Sequence, residues 1–467
     1  MEGVTNGSTD LPVAEWVYRG AGNRNVVFAN VKEGMVYRLM KRKVTDNTDT
    51  DEEGTSEQEK AHETLLNIET YVNNVVRSRL HFVPPMEVVK LPDCLVQHMN
   101  GVMQSRKTDQ NDLGLHISCP YALRIPDLCI FQTTVTDGRP TFCIELKPKC
   151  AWNYNLSTVE MPMCRCCLRQ VDKVTDGTYP ALSEYCPTDL FSGTKERMNR
   201  ALMSLLKTPQ HKIRIFKDGD VVYDENSSSF PTGDLCKHFG DAGSHNAKES
   251  VVDILRKVLI HVNCDTNGDN RSRRRSCHRL NVTCDRTGSC DNTCDDELPD
   301  GCILSDLLHG VFYTGPEDIR LTYKLYKKLR RHLQDNPQDG TNLSPEGPFT
   351  DDWASIPDGV EEDTLQYAAA KVRQYRVFNT MRLCAIMITL RPLSPEEAMS
   401  ADDSRDIACD DYGNYFEFLR GFIDLDPKPC AKLEEEYQWL KRLAKLKYGY
   451  YSSSSKKGEK VAAETDS

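Results

Sequence analysis

The chain has 467 residues, and its 59 Lys and Arg against 70 Asp and Glu leave a net charge of −11. That length suffices for two separate cores, while the acidic balance argues against general nucleic-acid binding and requires any polyanion to meet a local basic pocket. No stretch approaches the roughly 20 apolar residues of a membrane span, and Met1-Glu2-Gly3-Val4-Thr5 lacks the regions of a signal peptide, so a cytoplasmic or nuclear setting is expected.

In chain order, residues 16–29 read as strand, glycine turn and strand, with Arg19, Gly20, Gly22, Asn23 and Asn25 at the turn. Residues 35–41 read as a third strand carrying Arg38. The polar, acidic stretch 45–59 reads as a loop before a helix over 61–79, which Pro84-Pro85 ends. Residues 88–95 fit a strand or a short helix, and 119–149 supplies two strands joined by the turn Thr136-Asp137-Gly138-Arg139-Pro140. A helix is expected at 192–206, then a hairpin of 212–216 and 221–223 across Asp218-Gly219. Residues 240–301, rich in Asp, Asn, Ser, Gly and Arg, read as an inserted, largely disordered loop around one helix at 251–262. Helices at 319–333 and 364–375, apolar strands at 384–390 and 418–425, and a charged helix at 432–447 complete the fold, and a disordered tail is expected after Tyr451.

Three constellations carry chemistry. The glycine turn lets backbone N–H groups approach a phosphate, and Arg38 on a following strand neutralises it. At the end of an apolar strand, Glu145, Lys147 and Lys149 flank Pro148, which stops the run where ligands commonly sit in α/β and α+β folds. Their alternation puts all three on one side of an extended chain. This row is either a solvated strand end or a grip for a phosphorylated ligand. The third is Asp424, Asp426, Lys428 and Lys432, where an aspartate holds Mg²⁺ against nucleotide phosphates and lysines grip an anion, or where a charged strand end simply leads into a helix.

With Tyr18-Arg19-Gly20-Ala21-Gly22, Glu145-Leu146-Lys147-Pro148-Lys149-Cys150, Asp189-Leu190-Phe191-Ser192-Gly193, Cys164-Arg165, Thr208-Pro209-Gln210, Gln374-Tyr375-Arg376-Val377, Cys384-Ala385-Ile386-Met387-Ile388 and Asp424-Leu425-Asp426-Pro427-Lys428-Pro429 in this chain, it resembles the inositol-pentakisphosphate 2-kinases from about residue 14 to about residue 445. The resemblance implies an α+β, two-lobed inositol phosphate kinase fold, distantly like protein kinases, with ATP between the lobes. An N-terminal lobe would span 1–130 and a C-terminal lobe 131–450, with 451–467 a tail. It implies transfer of phosphate from ATP, with Mg²⁺, to the 2-hydroxyl of inositol 1,3,4,5,6-pentakisphosphate by a monomer. The glycine turn (Arg19, Gly20, Gly22, Asn23, Asn25) and Arg38 would contact ATP phosphates. Asp127 and Leu128 would lie beside adenine, Glu145 would line the nucleotide site and Asp424 would bind Mg²⁺. Lys147, near the reacting hydroxyl, would act in catalysis and substrate binding, joined by Arg106, Lys149, Lys173, Lys428 and Lys432.

Four departures from the family pattern bear on chemistry. Arg382-Leu383-Cys384-Ala385 stands where the family reads Lys-Asp-Cys-Ser, so Leu383 replaces the aspartate that would deprotonate the attacking hydroxyl. His211-Lys212 replaces two asparagines, Arg169 a histidine and Ala21 a glutamate. These changes favour anion binding over catalysis and raise the alternative of an impaired homologue that binds inositol phosphates or acts as a scaffold. The 19 cysteines mostly sit in apolar runs and read as buried hydrophobes. Cys277, His278, Cys284, Cys290, Cys294 and Cys302 offer zinc ligands but no clean Cys-x-x-Cys pair, which weighs against structural zinc. Arg271–Arg275 reads as a solvated loop, a nuclear import signal or a nucleic-acid contact.

Overall fold

A computed structural model of the chain describes residues 15–442 except 23, 44–50, 106–114, 132–137, 151–163, 236, 240–246, 263–297, 315–318 and 402–404. Asn23, Arg106, the Arg271–Arg275 run, Cys277 to Cys294 and the tail lie outside the described residues.

The fold is α+β, as expected, with two antiparallel sheets. The first holds β1 (Trp16–Ala21), β2 (Asn25–Asn30), β3 (Met35–Lys43), β4 (Glu87–Lys90), β5 (Leu115–Ile117) and β6 (Tyr121–Pro126), in the order β1-β2-β3-β6-β4 with β5 also on β3. The second holds β7 (Phe142–Leu146), β8 (Ile213–Lys217), β9 (Asp220–Tyr223), β10 (Ala385–Leu393), β11 (Ile407–Cys409) and β12 (Tyr415–Ile423), in the order β11-β12-β10-β7-β8-β9. Seven successive residues of β10 are buried, as a central strand covered on both faces requires.

Two main cores flank the sheets, and Leu123 of β6 joins the larger one. Val26, Phe28 and Leu39 of the first sheet pack with Leu95 and Met99 of the helix Asp93–Ser105. The larger core joins Ile144, Ile388 and Phe418 of the second sheet to the helices Lys195–Lys207, Ala247–Leu259 and Ile303–Thr314. The helix Asp51–Thr70, running on into the π-turn Tyr71–Val76, lies between strands of the first sheet in sequence yet feeds Leu65, Tyr71 and Val75 into this larger core.

Several expectations need correction. Residues 51–59 are helical rather than loop, since the Glu and Gln residues there are good helix formers whatever their polarity. The strands at 121–126 and 142–146 do not pair with each other: β6 lies between β3 and β4, and β7 between β10 and β8. The helix at 247–259 belongs to the core, not to an insert, because Val251, Ile254, Leu255 and Val258 are buried in it. The helix expected at 364–375 continues to Leu383. Its polar residues Asn379, Thr380 and Arg382 are buried, so periodicity misses this part.

Candidate functional site

At the end of β7, Pro148 closes the ladder after Lys147 N–H donates to the Lys212 carbonyl at 2.7 Å. The buried Tyr185 hydroxyl donates to the Pro148 carbonyl at 2.5 Å and fixes the turn. Lys149 follows with φ +52, a left-handed conformation that a side chain adopts only where surroundings impose it. Strict alternation therefore ends here. Lys147 and Lys149 both line a cavity of about 610 Å³, whereas Glu145 stays behind it, 3.2 Å from Lys147 and 3.8 Å from Arg214.

The predicted Lys173, Lys428 and Lys432 line the same cavity. Among the described residues, ten Lys or Arg side chains face it against two Glu, Glu435 and Glu436. Burial, and then the neighbouring Lys147, pushes Lys149 down to about 8. Burial also lowers Lys212, and burial together with the charge of Arg382 lowers Arg169. Cations are thus crowded and desolvated here with too few counter-charges, which is the electrostatic shape of a polyanion site. The backbone agrees. Of the five non-glycine residues with positive φ among the described residues, Lys149, Gln210 and His211 line the cavity, and Asp424 stands 3.7 Å from Lys428.

Asp424 begins the segment after β12. Arg376 Nε donates to the Lys428 carbonyl at 2.8 Å, and Thr380 Oγ1 to the Asp426 carbonyl at 3.3 Å, so the helix Leu365–Leu383 holds this segment in place. Arg38 on β3 crosses to Asp426 at 2.7 Å. In the glycine turn, Gly22 N–H donates to the Asn25 carbonyl at 2.9 Å, and Gly20 has φ +155. Arg19 pairs with the buried Asp127 at 3.3 Å and covers the turn between β8 and β9, where a Cβ on Gly219 would collide with its guanidinium. Asp127 Oδ1 accepts from the Cys129 N–H at 2.8 Å. The Leu128 carbonyl accepts from the Thr389 hydroxyl, and the Leu128 side chain packs on Gly421 of β12. Arg19, Arg38, Asp127 and Leu128 thus lie along the seam between the sheets, while Gly20, Gly22 and Asn25 stand where β1 turns into β2.

Leu383 ends its helix on the cavity wall, as do Arg169, His211 and Lys212. Sequence reasoning missed the contribution of Arg165, Arg382 and Trp439. Trp439 lies under Arg165 and Arg169, 4.6 and 5.0 Å from their guanidinium carbons, and donates to Asp172 at 2.9 Å. A Trp in a charged helix that follows the Lys428 segment was the available signal. Asp189 of the quoted Asp-Leu-Phe motif serves the scaffold instead: it is buried and pairs with Arg197 and Arg200, each at 3.0 Å. Among the described residues, Cys164, Cys167 and Cys186 bring three thiols together, with sulfurs within 4.8 Å of one another, and suit a soft metal ion such as Zn²⁺. Cys302 is instead buried in the large core.

A model of the inositol-pentakisphosphate 2-kinase family matches residues 18–441. The inositol-pentakisphosphate 2-kinase of Danio rerio is 29% identical over 455 residues, 91% of each chain. That of Arabidopsis thaliana is 25% identical over 465 residues, 92% of each chain. The Drosophila melanogaster protein of the same name is 32% identical over 125 residues, 20% of each chain. With the glycine turn, the Lys-Pro-Lys turn and the whole cavity up to Trp439 inside the matched span, the chain belongs to the inositol-pentakisphosphate 2-kinase family.

Proposed function

We propose that the chain is a two-lobed, distantly protein-kinase-like enzyme that transfers the γ-phosphate of ATP to the 2-hydroxyl of inositol 1,3,4,5,6-pentakisphosphate, giving inositol hexakisphosphate. The observation that carries this reading is the cavity wall, where ten cationic side chains meet two acids. Such a surplus suits a compact polyanion better than any neutral substrate. Lys149, Lys173, Lys428 and Lys432 hold its phosphates, and Lys147 stands at the reacting hydroxyl, where its ammonium offsets charge on the phosphoryl group in flight.

ATP lies along the seam between the sheets, its phosphates at the glycine turn and Arg38 and its base beside Asp127 and Leu128. Asp424 fits Mg²⁺, because its carboxylate is a hard donor, 46% accessible, and Lys428 at 3.7 Å is beyond hydrogen-bond reach. When bound, the ion neutralises phosphate charge. Asp424 and Asp426 then orient the nucleotide end of the cavity, while Glu145 fixes Lys147 from behind.

The Leu383 side chain supports a second reading, in which the cavity binds inositol phosphates without turning them over. A leucine accepts no proton, and general-base help is worth roughly 10²–10⁴-fold. Phosphoryl transfer through a loose transition state depends mostly on positioning and charge, however, so a slow kinase is the better reading. Assay of the purified protein with ATP, Mg²⁺ and the pentakisphosphate is expected to give hexakisphosphate, with Lys147→Ala and Asp424→Ala lowering the rate at least about tenfold. Leu383→Asp is expected to accelerate it. No product above the two alanine variants would sink the enzyme in favour of the binding protein.

A further inference from the structure

One acid inside the basic cavity is not a rim charge. Glu435 is exposed and pairs with Lys432 at 2.7 Å, three residues away on the same helix. Glu436, the next residue, turns inward: its side chain is 12% accessible and it pairs with Arg165, itself 5% accessible. Its second oxygen lies 3.9 Å from Arg382, also buried. Arg165 lies over the Trp439 ring and Arg382 donates to the Asn379 side-chain carbonyl, contacts that favour keeping both guanidinium groups at this wall. One carboxylate therefore sits between two desolvated guanidinium groups on the wall of a basic cavity.

Resting on the reading of the cavity as an inositol phosphate site, we propose that Glu436 is a built-in anion that occupies one phosphate position and so sets which phosphorylation pattern the cavity accepts. A ligand with a phosphate at that corner must displace the carboxylate or endure its charge at short range, in surroundings that screen poorly. A ligand with a hydroxyl there meets no such opposition. The substrate class this selects is an inositol polyphosphate lacking the phosphate that would point at Arg165 and Arg382. Glu436 acts through the two arginines and is a specificity-determining residue, not a catalytic one.

The test is calorimetric titration of the full chain with inositol hexakisphosphate, pentakisphosphates and tetrakisphosphates. Glu436→Gln is expected to tighten the most highly phosphorylated ligands about tenfold or more while leaving ligands without a phosphate at this corner nearly unchanged. The ratio of affinities is the readout. Glu435→Gln, which releases only the exposed Lys432 and leaves Arg165 and Arg382 untouched, is expected to leave that ratio alone. The double variant Arg165→Gln with Glu436→Gln removes one charge of each sign, so that one buried guanidinium loses its carboxylate where Glu436→Gln alone deprives two, and is expected to move the ratio in the same direction even if Glu436→Gln alone does not fold. An equal gain for every ligand, or an equal loss, would overturn the proposal and leave Glu436 as a structural partner of Arg165. If the unaltered protein binds none of these ligands, and Lys149→Ala changes nothing, the inositol phosphate reading itself fails.

Discussion

Lys149 joins a left-handed backbone to an ammonium lowered from 10.5 to about 8 by burial and by Lys147. The unfolded chain therefore binds this proton at a higher pH than the folded one. From this group stability rises as pH climbs from about 8 to about 10.5, while its cationic grip on an anion is lost earlier, as pH rises through about 8. The two trends oppose, which makes them diagnostic. Inositol phosphate affinity is expected to fall several-fold between about pH 7 and about pH 9 in the unaltered protein. In Lys149→Met both slopes should flatten, with affinity low at every pH. Binding measured across that range checks it, and an unchanged slope in the variant would move the titration elsewhere. The lysines of this site were legible because a proline between two of them marks a strand end. Arg165, Arg382 and Glu436 were not, because each stands on a different part of the chain and only packing brings their charges together.

At the scale of elements, the helix of residues 432–442 docks through Leu433, Trp439 and Leu440 and carries one wall of the cavity. Trp439→Ala removes the surface under Arg165 and Arg169 along with the bond to Asp172, and truncating a buried aromatic costs roughly 3–5 kcal/mol. Trp439→Phe keeps a ring beneath both arginines and loses a hydrogen bond to an acid, about 1.5–3 kcal/mol. Anion affinity is therefore expected to fall with Ala and largely survive with Phe, while urea denaturation shows both destabilised. Equal loss of affinity in the two would mean that the bond to Asp172, and not the ring, places the arginines. The elements show where sequence reading works. Continuous apolar runs located β7 and β10 to within a few residues, because strands buried on both faces leave no polar alternation to confuse them. Partnership was not legible: β6 and β7 are neighbours in sequence but lie in different sheets, since pairing depends on contacts across the whole chain. Nor was the extension to Leu383, whose buried Asn379, Thr380 and Arg382 look like surface residues and are there to hold the Lys428 segment and the cavity floor.

The whole molecule is acidic, yet its cavity is basic, and polar bonds cross the seam where the two sheets meet. Arg38 to Asp426 is one, and the Phe422 N–H to the Phe82 carbonyl at 2.8 Å is another. Arg38 belongs to the nucleotide side of the proposed site and Asp426 to the segment that carries Asp424 and Lys428, so this pair couples the sides. Its side chains are 15% and 26% accessible, and a pair so placed is worth about 1 kcal/mol. A double-mutant cycle of Arg38→Met and Asp426→Asn, read by denaturant unfolding, is expected to give a coupling near that value in the protein alone. With Mg²⁺ and a non-hydrolysable ATP analogue present, Arg38 turns to the phosphates and the coupling should shrink toward zero, while the analogue stabilises the unaltered protein more than it does Arg38→Met. A coupling that is the same with and without nucleotide would show that Arg38 never leaves Asp426. Arg38 would then be a strut between the sheets, and the phosphates would have to rest on the glycine turn alone.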